Sequence, residues 1–146
     1  MKRASTSETV AAVRSIYDAL AARPIERACE RRTDCCHFRL TGRTPFLTKG
    51  EAITAVAALR ASGRTRLPAR DDGACPLLDP GTGRCLIYEG RPFGCRTHFC
   101  PAAGGPYARR EVIDLIRQLE AIDHELGGDG VRPLPGAMER VLRGMR

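Results

Sequence analysis

Val10, Val13, Ile16, Tyr17 and Leu20 recur at three- and four-residue steps, which draws one apolar stripe along a helix. Ser5 and Glu8 stand at the spacing of a capping box ahead of the stripe, and Pro24 follows it, so the pattern predicts a helix over residues 5–22. Thr48 and Glu51 repeat the capping-box spacing. They open a shorter helix with Ile53, Val56, Ala57 and Leu59 inward and Gly63 at its close. Between these helices, His37–Leu40 and Pro45–Leu47 read as two short extended pieces around a Thr41-Gly42 turn. The longest stripe comes late. Val112, Leu115, Ile116, Leu119, Ile122 and Leu126 predict a helix from about Tyr107 to Leu126, stopped by Gly127-Gly128. A last helix, from about Pro135 to Arg143, carries Met138, Val141 and Leu142.

Residues 64–106 break this order. They are rich in Gly, Pro, Arg and Cys, they show no helical period, and only Cys85 to Tyr88 looks like a strand. A loop of this length inside a compact domain requires some other organiser. The expected fold is therefore mainly α. It is a small single domain over residues 1–146, with helices around an irregular Cys/Gly/Pro-rich metal-binding middle and minimal β. Its expected parts are an N-terminal helix (5–22), a cysteine-cluster region (29–100) and C-terminal helices (107–146).

The organiser is suggested by seven cysteines: Cys29, Cys35, Cys36, Cys75, Cys85, Cys95 and Cys100. A chain of 146 residues has enough length for an apolar core, so cross-links are not its only route to stability. An odd number of thiols cannot all pair as disulfides. Met1-Lys2-Arg3 is not followed by an apolar stretch, since Arg14 and Asp18 interrupt the alanine-rich segment. This start does not read as a signal peptide, and no run is long and apolar enough to span a membrane. The expected location is the cytoplasm, where clustered cysteines more often ligate metal than form bridges.

Nine residues separate Cys75 from Cys85, nine separate Cys85 from Cys95, and four separate Cys95 from Cys100. These spacings match neither the C-x2-C pairs of common zinc modules nor the ferredoxin patterns. Their setting is more telling. Cys75 precedes Pro76, Cys100 precedes Pro101, and Cys95 lies in Arg91-Pro92-Phe93-Gly94-Cys95-Arg96. Turn-forming residues of this kind aim loop ligands at a common point. Arg91 and Arg96 would favour thiolates and donate to cluster sulfurs. His37 and His98, each near a cysteine, are possible additional ligands, although imidazoles in such places commonly serve as hydrogen-bonded structural groups. Two further readings of the cysteines are buried small hydrophobes and a redox pair at Cys35-Cys36. The first fits poorly with Gly/Pro-rich loops, and the second lacks a C-x-x-C at a helix start.

The net charge of +7 comes almost wholly from arginine and admits a nucleic-acid partner. No unbroken basic tract and no aromatic series interleaved with arginine supports that reading, so a basic interaction module ranks behind metal binding. No Ser-His-Asp arrangement and no H-E-x-x-H motif is present, and Asp71-Asp72 read as a solvated turn. The expected partner is a metal ion or cluster, with no membrane and no identified protein.

Cys29-x-x-Arg32-x-x-Cys35-Cys36, then Cys75-Pro-Leu-Leu, then Cys85-Leu-Ile-Tyr-Glu-Gly-Arg-Pro-Phe-Gly-Cys95-Arg96, resembles the YkgJ-type cysteine-cluster family. That family is a zinc- or iron-chelating domain with the signature CxxCxxCC, and the resemblance covers about residues 29–100. Cys36-His-Phe with its Thr-Gly turn, and Thr48 ahead of Glu51, resemble the family's bridge between clusters. The resemblance implies metal chelation by Cys29, Cys35, Cys36, Cys75, Cys85 and Cys95, with Cys100 similar to the extra cysteine of one branch. Arg32 stands where the signature has its second cysteine. Two separate four-cysteine sites would thus lack one thiolate. Some larger relatives are lysine methylases, but this chain has no glycine-rich strand-to-helix motif for a methyl donor. Zinc and an iron–sulfur cluster both suit the donors. Seven soft thiolates without C-x2-C pairs favour the cluster slightly. A closed structural centre, a redox or catalytic cluster and a nucleic-acid module remain as the three functional readings.

Overall fold

The computed structural model describes residues 5–23, 45–68, 74–79, 81–82, 84–97 and 108–144. Among them the chain is mainly helical. The elements in order are α1 (Thr6–Ala21), β1 (Phe46–Leu47), α2 (Lys49–Ala61), a 3-10 turn (Tyr88–Gly90), α3 (Phe93–Thr97), α4 (Arg109–Glu125), β2 (Arg132–Pro133) and α5 (Leu134–Gly144).

The helix ends follow from the sequence signals. The Ser5 side chain accepts from the Glu8 N–H (3.2 Å) and caps α1. Thr48 and Glu51 make the full reciprocal box at α2. Both α2 and α4 end in a left-handed glycine, Gly63 (φ +89°) and Gly127 (φ +73°). In each case the glycine N–H and the next N–H return to the last turn. Gly63 donates to Arg60 O and Arg64 to Leu59 O; Gly127 donates to His124 O and Gly128 to Asp123 O. This pair of hydrogen bonds satisfies carbonyls that the helix would otherwise leave open.

α2 sits at the centre, touching α1, α4, α5, β1 and the 3-10 turn. Two apolar clusters flank it. One joins α2 to α5 and to the described residues between 74 and 87 through Leu47, Val56, Leu59, Leu77, Leu78 and Met138. The other joins α1, α3 and α4 through Val13, Ile16, Tyr17, Phe93, Leu115 and Leu119. The central position corrects the expected face of α2. Ile53 and Ala57 are only half-buried, whereas Ala52, Thr54 and Ala55 are buried. A helix packed on several sides buries small residues around its girth instead of one stripe. Thr54 meets this burial by donating its hydroxyl to Gly50 O (2.9 Å). On α1 the stripe is shifted slightly, with Thr9 buried and Val10 half-buried.

Residues 85–97 differ from the expected pattern. Cys85 forms an isolated antiparallel bridge with Leu78, bracketed by Leu86 N–H to Leu77 O and Asp79 N–H to Arg84 O. The Asp79 carboxylate accepts from the Gly81 N–H (3.0 Å) and the Thr82 hydroxyl (2.9 Å), which fixes the turn. The ladder stops there because Gly90 N–H donates to Ile87 O (2.7 Å) and curls Tyr88–Gly90 into the 3-10 turn. The five residues of α3 are too few to show a period in sequence. β1 pairs antiparallel with β2, Phe46 opposite Pro133 and Leu47 opposite Arg132, and the β2 pairing is a contact the local pattern does not announce. His37–Leu40 and the Thr41-Gly42 turn lie outside the described residues.

The 3-10 turn lies so close to α2 that a Cβ on Gly90 would stand 2.7 Å from Ala58 Cβ. Gly90→Ala is expected to lower stability by about 1–3 kcal/mol through overpacking. Gly136→Ala, where a Cβ meets nothing within 4 Å, is expected to raise it by roughly 0.4–1 kcal/mol. Urea unfolding of the two variants checks both signs, and a neutral Gly90→Ala would contradict the close packing.

Candidate metal centre

Three of the seven cysteines lie among the described residues, each on a different local device. Cys75 begins the turn closed by Leu78 N–H to Cys75 O (3.0 Å) and is buried within the apolar cluster of α2 and α5. Cys85 packs against the same cluster from its bridge with Leu78. Cys95 lies on α3, half-buried, its N–H donating to Pro92 O (3.0 Å). Cys29, Cys35, Cys36 and Cys100 lie outside the described residues, as do His37, His98, Asp71 and Asp72.

The segment carrying Cys95 is tied to the helices by a buried carboxylate. Glu51 is 3% exposed. Its Oε2 accepts from the Thr48 N–H (3.0 Å) and the Thr48 hydroxyl (3.2 Å), closing the cap of α2. Its Oε1 accepts from the Tyr17 hydroxyl on α1 (3.2 Å) and from the Phe93 N–H at the head of α3 (2.8 Å). One side chain thus satisfies donors on three helices. Burial pushes the Glu51 carboxyl above its ordinary value, against the pull of hydrogen bonds from Thr48, Phe93 and Tyr17. Burial likewise pushes the Tyr17 phenol upward, and the neighbouring Glu51 charge adds to it, so Tyr17 stays a donor.

Arg96 closes the other side. Its guanidinium lies over the Tyr17 ring, 4.1 Å from the centroid, in a cation–π contact. Its Nε donates to Arg91 O (2.7 Å), and a terminal nitrogen donates to Glu89 O. Arg91 stacks over Tyr88 at 3.9 Å and donates from Nε to Tyr88 O (2.9 Å). Both arginines therefore brace the backbone between the 3-10 turn and α3. Cys95 immediately precedes Arg96 in α3. Burial lowers the Arg96 guanidinium from its usual value, and it remains a cation beside that thiol.

Among the described residues no three His, Cys, Asp or Glu side chains gather closely enough to hold a metal ion. Their donor chemistry nonetheless fits zinc or iron. The thiols are soft donors on a turn, a bridge and a short helix whose backbones are already hydrogen-bonded, and arginine lies near one of them. Glu51 is the residue whose full role the local reading missed. Its capping-box spacing with Thr48 is visible in sequence, but the partners at positions 17 and 93 are not.

A family model described as "CxxCxxCC: Putative zinc- or iron-chelating domain" matches residues 28–118, more than half of the chain. No curated protein and no solved structure matches it.

The raised Glu51 carboxyl gives a pH signature. A carboxyl that binds its proton more tightly when folded contributes stability below its unfolded value of 4.5, and this contribution is lost as pH rises through the folded-state midpoint. In chelator-treated protein, wild type should lose stability relative to Glu51→Gln as pH rises from about 4.5 toward neutrality. Urea unfolding across that range reads the difference. A gap that stays level, or shifts in favour of wild type, contradicts the assignment.

Proposed function

Since the chain belongs to the CxxCxxCC family of zinc- or iron-chelating domains, we propose that its cysteines hold a metal centre that organises residues 64–106. The proposed ligands are drawn from Cys29, Cys35, Cys36, Cys75, Cys85, Cys95 and Cys100. The observation that carries this reading is the fixing of the Cys95 segment. Glu51 and Arg96 hold it by hydrogen bonds to backbone, which supports reading the short helix that carries Cys95 as a seat for a ligand beside Arg96. Preset loop ligands of this kind reduce the ordering that metal binding must otherwise impose.

The role we assign to the centre is structural. Bound metal supplies cross-links that a Gly/Pro-rich stretch lacks, and structural zinc can contribute roughly 10–16 kcal/mol to folding. An iron–sulfur cluster is slightly favoured over zinc by the abundance of soft thiolates without C-x2-C pairs. Arg32, at the second signature position, leaves seven thiols for eight places, a gap that a histidine, a water or a shared sulfur would fill. We place the protein in the YkgJ-type branch and in the cytoplasm, as a single domain, consistent with reduced thiols. No helix among the described residues is long and apolar enough to cross a membrane.

Cys85→Ser and Cys95→Ser should each lower the zinc or iron bound per chain after purification without oxygen. Each should also speed proteolysis within residues 64–106 while most helical signal remains. Full metal content and an unchanged cleavage pattern in both variants would sink the proposal.

A further inference from the structure

We propose that Glu51 is a positioning residue for Cys95, setting the thiol's place through the head of α3 before any metal arrives. The inference rests on the reading of Cys95 as a ligand, and it adds a residue that no cysteine signature contains. The path is short and explicit. Glu51 Oε1 accepts from the Phe93 N–H at 2.8 Å, and Cys95 follows two residues later in the same five-residue helix.

A helix this short has little stability of its own, because nucleation costs more than so few bonds return. Its first N–H groups also lack intrahelical partners. Glu51 supplies one such partner from a central helix that is capped at its own start. The carboxylate cannot easily drift, since Thr48 holds Oε2 by two bonds and the Tyr17 hydroxyl donates to Oε1. Phe93 is itself buried in the α1–α4 cluster, which fixes the peptide that donates. Arg96 then braces the far side, with bonds to the backbone of residues 89 and 91 and its guanidinium over Tyr17. The thiol between these two anchors inherits their rigidity.

Asp123 gives a built-in control. It too is a buried carboxylate at the head of α2, accepting from the Lys49 N–H (2.8 Å) and the Gly130 N–H (3.0 Å). Those bonds lead to the loop after α4 and not to α3. A general loss of stability should therefore follow substitution at either site, whereas displacement of Cys95 should follow only from Glu51.

The test uses the full chain as wild type, Glu51→Asp, Glu51→Gln and Asp123→Asn. One readout is the partition of zinc against a competing chelator. The second is the alkylation rate of Cys95 in chelator-treated chain, resolved by peptide mass spectrometry. Shortening the carboxylate withdraws it from Phe93, so Glu51→Asp should weaken zinc binding and speed Cys95 alkylation, each by about tenfold. Glu51→Gln keeps an oxygen for the Phe93 N–H and should restore most of both. Asp123→Asn should change neither by more than about twofold on the same scale. Equal effects of Glu51→Asp and Asp123→Asn, or none from Glu51→Asp, overturn the inference. If Glu51→Asp does not fold, amide exchange at Phe93 in chelator-treated wild type decides: slow exchange supports the anchor and fast exchange removes it. If wild type binds neither zinc nor iron, the metal-centre reading falls, while the alkylation and exchange readouts still decide the positioning role.

Discussion

A carboxylate removed from water must be surrounded by donors, and this constraint shapes the centre of the molecule around Glu51. Four donors converge on its two oxygens, from Thr48, Tyr17 and Phe93. Breaking such a site leaves several buried polar groups without partners, which costs more than the bonds themselves return in net stability. The packing of α1 against α2, the start of α2 and the seat of α3 therefore depend on one another. Asp123 repeats the device a short distance away, joining Lys49 and Gly130 at the same helix head. The start of α2 is thus the place where the helical scaffold and two loops are locked together.

This arrangement explains how an irregular segment is held on a helical frame. The described residues between 74 and 97 contribute one isolated bridge, a 3-10 turn and a helix of five residues, none of which is stable alone. They are held by apolar burial of Leu77, Leu78, Ile87 and Phe93, by Glu51 on one side and by Arg96 on the other. The three described cysteines sit on the turn, the bridge and the short helix of this segment. A metal centre formed there, with further thiols, would add cross-links at the points the backbone already constrains.

Much of the helical frame was legible from local signals. The stripe from Val112 to Leu126, the cap at Thr48 and the glycines at 63 and 127 each act within a few residues, so spacing alone reveals them. The inward face of α2 was not, because burial on several sides erases the stripe and brings Ala52 and Ala55 inside. α3 and β2 were hidden for related reasons. One is too short for a period, and the other is a two-residue pairing with Phe46–Leu47 across a long separation. The cysteines announced chemistry but not geometry. Arg96 was expected to serve the thiols, and the structure shows its hydrogen bonds going to the backbone at residues 89 and 91 while it stays within electrostatic reach of Cys95. Glu51 was visible as a capping residue, yet its long-range partners could be found only once α1 and α3 were folded against it.

The central claim is a thiolate metal centre, and X-ray absorption at the zinc and iron edges of full-length protein purified without oxygen tests it most directly. One of these metals should be present with a sulfur-dominated shell, at about 2.3 Å for zinc. Absence of both metals, or a shell of oxygen and nitrogen without sulfur, would contradict it.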